Sequence, residues 1–125
     1  MKDLVSMIIT AEQKATILAA LAQIEACLQK MISLEPDDRK SLIRMRAKNG
    51  DFARATMRLA GQNPTLIPPS IDLEGALADL AALDQLIEIR ERMTRLYERM
   101  TDTVDALGHD VMVTAHDSYN VLKIS

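Results

Sequence analysis

Residues 72–108 read DLEGALADLAALDQLIEIRERMTRLYERMTDTVDALG, and this stretch decides the fold. Asp72 places a carboxylate where it can accept a first-turn N–H, and Glu74 sits near the positive end of the helix dipole. Leu73, Leu77, Leu80, Leu83 and Ile87 then recur at steps of three and four, the period of one helical face. Leu86, Ile89, Met93, Leu96, Met100, Val104 and Leu107 continue the pattern with the face slightly rotated. The spacing predicts a helix about 50 Å long if unbroken to Leu107, with Gly108 as its C-cap. A last helix is expected beyond it, with Val111 or Met112, Ala115, Tyr119 and Leu122 on one side.

Upstream, Asn63-Pro64 stops whatever helix precedes it, because a residue before proline avoids the helical region. Pro64 to Ser70, with Pro68-Pro69, reads as a stiff extended connector whose Leu66, Ile67 and Ile71 pack onto the rest. Glu35-Pro36-Asp37-Asp38 starts a second helix, with proline in the first turn and acids at the dipole. Asn49-Gly50 is expected to end it near Lys48, and Asp51 to cap a successor from Phe52 to about Gln62. The first helix begins at Thr10, where Thr10 and Gln13 form a capping box, and runs to Leu34. Its stripe is Ile17, Leu21, Ile24, Leu28 and Met31, and alanines occupy much of the opposite face.

Composition agrees with this reading and removes the competing classes. The 125 residues are 48% hydrophobic and carry a net charge of only -3, which is not the signature of a disordered chain. Aromatics make up 2%, too few for a β-sandwich. The one cysteine, Cys27, excludes a disulfide scaffold and fits a reducing compartment, the cytoplasm. Residues 1–9 are too short an apolar run for a signal-peptide core. Gln23, Glu25, Gln29 and Lys30 interrupt Ala15 to Leu34, so no membrane span is expected there. The expectation is therefore one all-α domain over 1–125, a helical bundle with two long helices, a broken second helix and a Pro-rich extended connector. At this length its core should take roughly two-thirds of the chain's surface out of water.

Three stretches carry a resemblance: Asn63-Pro64-x-Leu66-Ile67-Pro68-Pro69, Asp72-Leu73 opening a long helix, and Asp102-Thr103-x-x-Ala106-Leu107-Gly108 with Tyr119 and Leu122-Lys123 beyond. Over roughly residues 35–123 the chain resembles a family of small, uncharacterised, all-helical bacterial proteins. The resemblance implies a helical bundle and no activity, so no catalytic or binding residue carries over. His109, Val113 and His116 fall outside its pattern.

Few constellations carry chemistry. His109 and His116 share a helical face, but an i, i+7 pair is about 10 Å apart along the axis and cannot chelate one ion alone. The basic segment 39–58 holds Arg39, Lys40, Arg44, Arg46, Lys48, Arg54 and Arg58 against Asp51 alone. Its helix, Asn-Gly turn and helix invite a helix-turn-helix reading, but Arg46 and Thr56 stand where that motif wants small and aliphatic residues. The acids of the long helix are its natural internal counter-surface. The run from Glu88 to Arg99 reads as a solvated face with Glu88–Arg92 and Glu91–Arg95 pairs. Met93, Met100 and Met112 read as core, and Cys27 as a buried, inert thiol. Gly50, Gly61, Gly75 and Gly108 are isolated, so no phosphate loop exists, and no nucleophile has a base near it.

The residues thus point away from an enzyme, assign no catalytic residue, metal ligand or cofactor, and favour protein–protein contact. The first helix is apolar over more of its circumference than one core needs, unless the other segments wrap it. Leu18, Ala22 and Ile32 are the candidate self-association residues, in a homo-oligomer expected to be a dimer. An unidentified protein partner, in an accessory or adaptor role, is compatible with the same surface. The second reading is nucleic-acid binding through Arg44, Lys48, Arg54 and Arg58, which the acidic balance of the chain disfavours. The third is metal or small-ligand binding by the histidine-bearing C-terminal helix.

Overall fold

A computed structural model describes residues 5–124. Among them the chain is all-α, with four α-helices and no strand: α1 (Ala11–Cys27), α2 (Pro36–Ser41), α3 (Ala47–Gln62) and α4 (Leu73–Ile124). A single 3-10 turn, Pro64–Leu66, joins α3 to α4. The chain divides into two compact units, Met1–Ser33 with Arg95–Ser125, and Leu34–Thr94.

The helix starts follow local chemistry. Gln13 N–H donates to Thr10 Oγ1 and Thr10 N–H to Gln13 Oε1, both at 3.0 Å, which closes the expected capping box on α1. Gly75 N–H donates to Asp72 Oδ1 at 2.9 Å, so Asp72 caps α4 as its sequence position indicates. Pro36 opens α2 at its first turn, and α3 stops at Gln62 ahead of Pro64.

Other boundaries differ from the sequence reading. The first helix ends at Cys27 rather than Leu34, and residues 31–35 approach Pro36 without regular structure. Asn49-Gly50 is no turn. The second helix stops at Ser41, residues 42–46 are non-helical, and α3 runs through Gly50 without a positive φ. The reason is in the side chain of Asn49. Its Oδ1 accepts Arg46 N–H at 2.5 Å and its Nδ2 donates to Arg44 C=O at 2.8 Å, so it caps the start of α3 instead of ending α2. Asp51 consequently lies inside a helix and caps nothing. The connector is a 3-10 turn and a bend, not an extended strand: Ile67 N–H donates to Pro64 C=O and Ile71 N–H to Pro68 C=O. Only Ile67 of its apolar residues is half-buried; Leu66 and Ile71 are exposed.

Within Leu34–Thr94, α3 lies antiparallel to the start of α4. Arg54 Nη1 meets Asp84 Oδ1 at 2.5 Å, and a methyl group placed on Gly61 would lie 3.7 Å from Leu77 Cδ1. The two pairs advance along α3 while retreating along α4. Ala53, Met57 and Ala60 are half-buried on α3, as are Leu73, Leu77, Leu80, Leu83 and Ile87 on α4, the first stripe of the sequence reading. In the other unit, Val5 N–H donates to Asp110 Oδ2 at 3.3 Å, and Leu28, Ala106, Leu107 and Val113 are half-buried.

The expected core is not formed among the described residues. Among the described residues only Gly50, under the side chain of Met45, is buried, and no hydrophobic side chain is. The methionines assigned to a core, Met93, Met100 and Met112, are exposed, and so is Cys27.

Gly108 does not terminate a helix. It lies within α4 with no positive φ, and α4 absorbs the expected last helix. A methyl group there would meet no atom within 4 Å. Gly108→Ala is therefore expected to stabilise the fold by about 0.5–1 kcal/mol, through helix propensity alone. A C-cap glycine would give the opposite sign, and a urea midpoint distinguishes the two.

Candidate interaction surfaces

The first surface is α1. Its composition forms a helix readily, with capped start and alanine-rich body, but no residue of it is buried. Ile17, Leu18, Leu21 and Ile24 are all exposed, with Leu18 at 55%. Within the unit formed by Met1–Ser33 and Arg95–Ser125, no described segment wraps this helix. Leu18 and Ala22 lie one turn apart on it. Ile32 lies beyond its end, in the irregular stretch before α2, and is 80% exposed. The apolar lead-in Val5, Met7, Ile8 and Ile9 precedes α1 with Met7, Ile8 and Ile9 exposed; Leu4 lies outside the described residues.

The basic segment is partly engaged already. Of the four candidate polyanion contacts, Arg54 pairs with Asp84, and Arg44 Nη2 donates to Arg39 C=O at 3.2 Å. Lys48 and Arg58 are exposed. The internal counter-surface expected on the long helix is thus realised at one position, Asp84. The helix-turn-helix arrangement is absent, because α3 begins before Asn49-Gly50 and residues 42–46 separate it from α2. One residue that the sequence reading passed over stands out in this stretch: Ile43 is 97% exposed. Its neighbours Leu42 and Arg44 are held by backbone and side-chain hydrogen bonds, so the exposure belongs to an ordered stretch.

The histidines are not brought together with other ligands. Among the described residues no group of three or more His, Cys, Asp or Glu side chains converges on a common point. His116 is exposed. His109 is half-buried inside α4, and its Nε2 is shielded from solvent with no hydrogen-bond partner. An open groove of about 550 Å³ lies beside the 3-10 turn, with Pro64, Ile67, Pro68 and Leu77 among its lining residues and Asp72 and Glu74 also on it. Asp72 is committed to capping α4, and no nucleophile lines the groove.

The middle of α4 is the second apolar surface. Leu86, Ile89, Met93, Leu96 and Met100 are all exposed. Among the described residues the expected Glu88–Arg92 and Glu91–Arg95 pairs are not formed. Arginine and glutamate side chains there extend into solvent instead, as the few tenths of a kcal/mol available to such a pair permit. Among the described residues no helix is long and apolar enough to cross a membrane.

Arg54 and Asp84 are 38% and 49% exposed, so their pairing orients the α3–α4 hairpin more than it stabilises it. A double-mutant cycle with Arg54→Ala and Asp84→Ala is expected to return a coupling of about 0.2–1 kcal/mol, falling with salt. No family model, curated protein or solved structure matches the chain.

Proposed function

We propose that this chain is a self-associating helical protein that works through protein–protein contacts, with α1 in the contact between copies. The observation that supports the reading is the exposure of α1 on every side, Ile17, Leu18, Leu21 and Ile24 included. On this reading the helical bundle foreseen from the sequence is completed between copies. Two-fold pairing is favoured, since one patch then covers itself.

The charge pattern of α1 supports a second copy as the occupant. Between Ala11 and Cys27 only Glu12, Lys14 and Glu25 are charged, so two such helices can approach without stranding a charge. Ala22, one turn from Leu18, permits close backbone approach. The same reading assigns no catalysis, metal or cofactor, and the single thiol of Cys27 is in keeping with a cytoplasmic setting. Nucleic-acid binding is not favoured, because Arg54 and Arg44 already have partners inside the chain.

Light scattering across a dilution series tests this. The wild-type chain is expected at twice its chain mass at high concentration, dissociating on dilution. Leu18→Glu and Ile32→Glu are each expected to give single-chain mass, with helical circular dichroism falling by no more than the share of α1. A wild-type monomer at high concentration would overturn the reading.

A further inference from the structure

We infer that the middle of α4 is a docking seam for an amphipathic helix with acidic flanks, supplied by a different protein. Leu86, Ile89, Met93, Leu96 and Met100 are spaced by alternate steps of three and four, the seam of a two-helix coiled coil. All five are exposed on an uninterrupted helix. Residues that border such a seam choose its partner through their charge.

Here the borders are basic. Arg90, Arg92 and Arg99 occupy bordering positions, and the remaining ones near them are Gln85 and Tyr97. No acid borders the seam: Asp84, Glu88, Glu91, Glu98 and Asp102 fall at other positions of the repeat. Among the described residues none of the three arginines is engaged in an ion pair. Their charge is therefore available at the edge of the apolar strip.

A second copy of this seam cannot answer them. In parallel alignment, Arg90, Arg92 and Arg99 face the second copy's Gln85, Tyr97 and Val104. In antiparallel alignment with Met93 opposite Leu96, Arg92 faces Arg99 twice across the two-fold axis. Neither orientation brings a carboxylate to an arginine, and the second sets like charges against each other. The same borders that reject self-pairing select glutamate or aspartate flanks, an instance of specificity by repulsion of the wrong partner. A nucleic acid fits less well, since the aliphatic strip offers phosphate nothing and the acids on the remaining faces repel it. The inference goes beyond self-association through α1 and uses none of its residues.

The probe is a synthetic three-heptad helix with leucine along its seam and glutamate at every bordering position, beside a version bordered by lysine. Anisotropy of each labelled peptide is titrated with the full-length chain, in the wild type and in Leu18→Glu. The glutamate peptide is expected to bind at least tenfold more tightly than the lysine peptide, with the gap narrowing as salt rises. Arg92→Glu/Arg99→Glu is expected to reverse the preference while keeping helical content. Because α1 is changed separately, loss of self-association in Leu18→Glu with peptide binding retained would separate the two surfaces. Equal affinity for the two peptides, or no binding of either, would overturn the inference. So would a short duplex RNA that binds at physiological salt and is lost with the arginines.

Discussion

Among the described residues the apolar side chains of α1 and of the middle of α4 are left exposed, and that constraint governs the behaviour of the rest. Hydrophobic burial is the dominant favourable term in folding, yet the burial this chain achieves alone is the partial shielding of a hairpin and of a few side chains near Asp110. Isolated helices of the length of α1 are marginal in water. A capping box closes its first turn, and nothing in the last turn answers the dipole. Its persistence as a helix therefore depends on what covers Ile17, Leu18, Leu21 and Ile24. The α3–α4 hairpin differs, because Leu77 and its neighbours are half-buried against a helix of the same chain.

Much of the local structure was legible because caps are short-range chemistry. Thr10 with Gln13, Asp72 with Gly75, and Asn63 before Pro64 each involve atoms within three or four residues, and each marks the boundary it indicated. Asn49-Gly50 and Gly108 misled for a related reason. Glycine permits a left-handed backbone but does not require one, and whether it ends a helix depends on competing hydrogen bonds. At Gly50 the competitor is the Asn49 side chain bonding to Arg46 and Arg44. At Gly108 no proline follows before Ile124, and the helix continues through it.

The same distinction governs the candidate surfaces. Periodicity identifies which residues of a helix share a face, and the stripes from Leu73 to Ile87 and from Leu86 to Met100 were both visible. Periodicity does not say whether a face is covered. The first stripe meets α3, and the second meets solvent, a difference that rests on where the antiparallel α3 begins, at Ala47. Ile43 illustrates the limit from the other side. It belongs to no stripe, so only the hydrogen bonds that order its neighbours reveal an apolar side chain held in water.

The two uncovered surfaces differ in kind, and charge is the reason. Along α1 the few charges are dilute, so contact there is governed by apolar area and by the close approach that alanines allow; a like surface suits it. Along the middle of α4 the apolar strip is bordered by guanidinium groups, whose planar donors match carboxylates in a way that an ammonium does not. Solvent-exposed ion pairs contribute little to stability, so the arginines add little to the fold when left in water. At the edge of an apolar contact, however, they penalise a partner that leaves them unanswered.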